Sequence, residues 1–242
     1  MTGRNTAAQN GSPDRLQHRG SGAKCATGNG GTNSMLRAVW HWLSAAAGRL
    51  GLAGRRSLEV QAAELSADKV YDLVFLHGRG FVQARGTGQS ITRVFAHVQN
   101  RVERPLRVRA LPGTCFIAKG GHQNMVIRRP CRFTLEPGQA QSVAIEATCM
   151  NAERPIPCES DHFQGVRLAP PEVVRFLDAA AQADAMTVQA GVWALTDRYT
   201  AADVHRRLTQ TDRHGRHQQA VLPHQVDEAR RLLDSVGLST RL

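Results

Sequence analysis

The 242-residue chain is short of several features that usually announce an activity. Aromatic residues make up 5% of it, which is sparse for a surface that stacks sugars or bases. No run of about 18 uncharged apolar residues occurs, so an ordinary transmembrane helix is excluded. There is no glycine-rich phosphate loop, no His-Glu-x-x-His zinc helix and no Gly-x-Ser-x-Gly elbow. Five cysteines are present (Cys25, Cys115, Cys131, Cys149 and Cys158), yet none forms a Cys-x-x-Cys pair. A structural zinc therefore has little support, and no metal or other cofactor is expected. Cys115 with Cys131, or Cys149 with Cys158, could pair; small buried thiols are the alternative, and the odd count leaves one over.

What the chain does have is basic charge and two textures. The formal net charge is +11. Residues 1–57 hold eight Lys or Arg against Asp14 alone. The remainder is mildly basic, with scattered arginines and no aromatic-interleaved stripe, so a nucleic-acid partner for the folded part is not expected. Residues 1–34, rich in Gly, Asn, Thr and Ser, bury too little apolar surface to offset chain entropy and read as a disordered tail. Residues 35–57 read either as an amphipathic helix suited to an anionic membrane surface or as a weak export signal starting at Met35. The protein is extracytoplasmic on the second reading and cytoplasmic otherwise.

From Ser66, which can cap a short helix carrying Val70, Leu73, Val74 and His77 at helical spacing, the pattern turns regular. Seven short apolar or alternating segments follow between Phe81 and Thr148, punctuated by Gly, Asn and Pro every 8–12 residues or so. That spacing predicts an antiparallel, immunoglobulin-like β-sandwich over 58–150. Arg107 and Arg109, set between Leu106, Val108 and Ala110, mark one solvated face. Residues 151–170, with Pro155, Pro157 and Pro170 and Pro171 just beyond, read as a proline-rich linker loop. Residues 171–242 read as a helical subdomain, with Pro171 in a first turn, a helix near 185–196, a Thr200-x-x-Asp203 capping box and a last helix from Pro223. Strands first and helices last make the fold class α+β.

One constellation carries chemistry. On a helical period Gln189 shares its face with Ala185, Val192, Trp193 and Thr196, so an uncharged amide sits in an apolar stripe. A buried amide needs partners. In the structural reading, Gln189 clamps a backbone edge of the sandwich and holds the helix on it. In the chemical reading, Cys149 at the end of the last strand attacks the carboxamide, expels ammonia and forms an internal thioester. Gln123-Asn124, after Gly120-Gly121, tips a hairpin or opens a strand, and its amides could meet a partner at the sandwich end. Asp161-His162 after Cys158 shows no oxyanion device, and no catalytic residues are assigned.

The string Val188-Gln189-Ala190-Gly191-Val192-Trp193 resembles the glutamine motif of bacterial Cys–Gln thioester domains of surface adhesins. The resemblance implies that Gln189 is the acyl donor and Cys149 the thiol, with Val192 and Trp193 supporting. Thr148 stands where that family usually has an aromatic residue or Leu. Gln123-Asn124-Met125-Val126 and Gly191 to Asp197 are also similar to strings in bacterial proteins that join an Ig-like sandwich to a helical tail. Together these readings predict a non-enzymatic interaction or adhesion module with a protein partner. Covalent adhesion through Cys149–Gln189, or scaffolding on a membrane or nucleic acid through residues 1–57, are the alternatives.

Overall fold

A computed structural model of the protein describes residues 58–211 and 217–242. The tail, the helix-or-signal segment and the basic scaffold read from residues 1–57 lie outside them. A helical turn over 58–62 (α1) leads into β1 (Val70–Asp72) and α2 (Leu73–Gly78). The strands β2 (Val82–Ser90), β3 (Arg93–Asn100), β4 (Leu106–Ala110), β5 (Thr114–Ala118), β6 (Asn124–Ile127), β7 (Cys131–Leu135), β8 (Ala140–Met150) and β9 (His162–Leu168) follow. Then come α3 (Pro171–Ala179), α4 (Ala185–Thr196), α5 (Ala201–Arg207), the hairpin β10 (Thr209–Thr211) and β11 (His217–Gln219), and α6 (Pro223–Ser235).

The immunoglobulin-like sandwich is not what these strands build. Six of them close into an antiparallel barrel in the order β2-β3-β8-β6-β5-β9, and β1-β4-β7 form a separate mixed sheet. The difference turns on β9. It lies inside the stretch read as a proline-rich linker, but Pro155, Pro157, Pro170 and Pro171 all flank it. His162–Leu168 is free to hydrogen-bond on both edges, to β2 and to β5, and so removes the two open edges a sandwich would keep. Its register shifts against β5 near Gly165, whose φ of +114° suits a residue without Cβ.

Alternation along the strands fills the barrel. Val94, Ala96, Phe116, Met125, Ile145, Ala147 and Phe163 are fully buried. The Phe116 and Phe163 rings meet edge to face at 6.2 Å. A Cβ on Gly86 would stand 3.1 Å from one ring and 3.3 Å from the other, so the glycine makes their room.

The Ser66 reading also changes. Val70–Asp72 pair in parallel with Arg107–Arg109 of β4, and that pairing overrides the local helical spacing. Asp72 then caps α2, accepting from the backbone N–H of Val74 at 2.8 Å.

In the C-terminal part, α4 has no charged residue and is buried nearly all round, as a helix enclosed by β8, α3 and α6 must be. Asp184 caps it through the N–H groups of Met186 and Thr187. The Thr200–Asp203 capping box forms at the start of α5. Helices α3 and α4 touch at Gly191, where a Cβ would lie 2.0 Å from the Phe176 ring. Gly191→Ala should therefore destabilise the protein by about 1–3 kcal/mol through overpacking. Gly121→Ala, with nothing nearby, should change urea unfolding little.

Candidate functional site

The site begins where β3 runs out. It pairs with β8 from Ala140 to Glu146, and its last bond to that strand goes from the Ala147 N–H to the Thr92 carbonyl. Beyond this point β6 still covers one edge of β8, to Met150. The other edge would leave the N–H and C=O of Cys149 unpaired in a dry interior. Gln189 of α4 takes both. The Cys149 N–H donates to its Oε1 at 2.9 Å, and its Nε2 donates to the Cys149 carbonyl at 2.8 Å. A side chain thus makes the two-point contact that a neighbouring strand would make. The Thr148 hydroxyl donates to the same Oε1 at 2.6 Å. Gln189, Thr148 and Cys149 are all within 1% of complete burial.

Cys149 and Gln189, forty positions apart, are therefore brought together, and the contact runs through the Cys149 main chain. Successive side chains of a strand face opposite ways. Thr148 points to α4, so the Cys149 thiol points to the barrel interior, on the face shared with Met125 opposite it. Complete burial pushes that thiol well above the ordinary thiol range and keeps it protonated at neutral pH. Val192 and Trp193 line the same seam, fully buried; the Trp193 ring meets Tyr199 edge to face at 5.8 Å.

The Gln123–Asn124 pair lies at the β5–β6 turn. Asn124 accepts from the Ala118 N–H at 2.9 Å and closes the hairpin. Gln123 is turned inward: its Nε2 donates to the Arg154 carbonyl and its backbone N–H to that of Pro155. Its amide nitrogen and backbone N–H thus hold residues 151–157, a strap that leads from β8 toward β9. The helical side holds the strap as well. The Ala152 N–H donates to Asp197 at 3.0 Å, Arg207 Nε donates to the Ala152 carbonyl at 3.0 Å, and the Tyr199 hydroxyl donates to Glu153. Burial, and then the Glu153 carboxylate, push Tyr199 up to about 12. Asp161 accepts from the Cys158 N–H and faces His122 at 3.6 Å, while His162 is exposed. Cys115, Cys131, Cys149 and Cys158 are all free thiols, so neither disulfide forms. Burial pushes Cys115 up to about 11.

Two features lay outside the sequence reading. One is Thr148, whose only signal was a hydroxyl between Ala147 and Cys149. The other is an arginine pairing on the β1-β4-β7 sheet. Arg109 and Arg132 are direct cross-strand partners, and Arg107 shares their outward face one row along. No family model, curated protein or solved structure matches the chain.

Removing the Gln189 amide strands one hydroxyl and two main-chain groups, at about 1–3 kcal/mol for each buried orphan. Gln189→Ala should lower urea-unfolding stability by about 3 kcal/mol or more, and Thr148→Val by about 1 kcal/mol. A double-mutant cycle should show the two coupled.

Proposed function

We propose that the chain is a non-enzymatic protein-interaction module that presents the outer face of the β1-β4-β7 sheet to an acidic protein surface. The observation that supports this reading is the Arg109–Arg132 pair. Like charges directly opposite one another destabilise a sheet. Arg109 also has its Nε buried without a partner. Beside them Arg107 spends one guanidinium N–H on the Asp68 carbonyl, a neutral acceptor. Asp72 is the one acid in the same rows, and it is engaged in capping α2. Such a face gains from a partner's carboxylates, and α2 packs against β1 and β4 of the sheet that presents it.

Labelled polyglutamate, followed by fluorescence anisotropy at low salt, tests this. Arg132→Glu should weaken binding about tenfold, and added salt should weaken it further. Arg175→Glu, the same charge change on the exposed side of α3, should do much less. Equal losses in the two variants would reduce the effect to net charge and remove the reading.

A second reading, covalent attachment, rests on a different observation. Two donors, the Thr148 hydroxyl and the Cys149 N–H, converge on the Gln189 carbonyl oxygen. They would hold the negative charge that grows there when sulfur adds to the amide carbon. The Cys149 thiol would have to lose its proton and turn from the barrel interior to that carbon. Ammonia then leaves and the thioester remains, open to an amine of the partner. Intact mass of fresh protein should fall by one ammonia, with methylamine adding afterwards. An unchanged mass matching that expected for Cys149→Ala plus one sulfur rejects covalent attachment.

A further inference from the structure

Resting on the acidic-partner reading above, we infer that the partner enters as an extended strand added to the free edge of β7. In the three-stranded sheet β4 is central, β1 is one edge and β7 the other. Among the described residues no strand pairs with the outer side of β7, which leaves a row of main-chain donors and acceptors available. The Leu135 carbonyl is taken by the Asn100 side chain, so the open stretch is Cys131 to Thr134.

Side chains say what fits there. The row through Asp72, Arg109 and Arg132 reads negative, positive, positive across β1, β4 and β7. An acid on an added strand, opposite Arg132, completes the row with a negative charge. On the inner face Cys131 and Phe133 are half-buried and unfinished, which suits an apolar residue next to that acid. The added strand therefore alternates acidic and apolar residues, and main-chain bonds supply affinity while the alternation supplies specificity.

The same charges turn other occupants away. A second copy adding its own β7 would bring Arg132 toward Arg132. Residues 1–57 of this chain carry eight basic residues against one acid and are repelled as well. The β1 edge is less suitable: it has three residues, and its row ends in Asp72, which repels an acid.

The test uses the full chain and a short synthetic peptide alternating Glu and Val. Two further versions carry backbone N-methyl groups on one alternate set of residues or on the other. In a strand those two sets point their N–H groups to opposite sides. The unmodified peptide should bind, and one methylated version should bind about as well. The other should lose about tenfold or more, because its donors to β7 are blocked. Alkylation of Cys131, mapped by mass spectrometry, should slow about tenfold when the peptide is bound, a protection that tracks occupancy of the edge. The exposed Cys158 should react at an unchanged rate. If both methylated peptides bind like the parent, or Cys131 stays as reactive, strand addition is wrong, even if Arg132→Glu still weakens polyglutamate. If polyglutamate binding is itself insensitive to Arg132→Glu, the acidic-partner reading falls and this inference with it.

Discussion

A strand in a dry interior cannot leave its main-chain groups unpaired, and β8 meets that constraint with a side chain. Where β3 ends, the Gln189 carboxamide takes over its place in the ladder and bonds both polar groups of Cys149. The barrel and the helical part are joined by this contact. It sets α4 down on β8, and α4 in turn seats α3 and α6 on its other sides. An apolar side chain at position 189 would fill the space and leave the strand edge unsatisfied. A charged one would need a counter-ion the seam does not hold.

The strap between β8 and β9 completes the junction. It follows directly from the bonded strand end and is held from the barrel by Gln123 and from the helices by Asp197, Tyr199 and Arg207. Four side chains from two parts of the molecule thus fix a segment that has no ladder of its own. That restraint delivers the chain to β9, which closes the barrel between β2 and β5. Closure is why the core can be filled by single rings such as Phe116 and Phe163, with Gly86 cut away to admit them.

The electrostatics divide along the same line. Inside, burial holds thiols such as Cys149 protonated, and the Gln189 amide answers the Thr148 hydroxyl and both main-chain groups of Cys149. Outside, the β1-β4-β7 sheet gathers arginines from segments that are far apart in the chain. A face of this kind is tolerable alone because water and salt screen it, and it becomes favourable when an acid meets it. The two candidate sites of the molecule are therefore different in kind: one a sealed seam, the other an open edge.

Much of this was legible in the residues. The alternation of β2 to β8, the apolar stripe of α4 with one amide in it, and the Thr200 and Pro223 helix starts are local patterns, and local patterns survive in a list of letters. Gln189 had to be inward and bonded because an amide among Val188, Val192 and Trp193 has no water to turn to. What the letters left open was which strand edges meet. Barrel or sandwich depended on whether His162–Leu168 found β2 and β5. The residue facing Gln189 was Thr148 by side chain and Cys149 by main chain, a distinction set by the parity of one strand against one helix. The Arg109–Arg132 opposition exists only in the register of β4 with β7. Periodicity is a property of neighbours in sequence, so the chain determines its own elements and their faces. Pairing is a choice among distant partners of nearly equal local merit, and only the packed whole makes that choice.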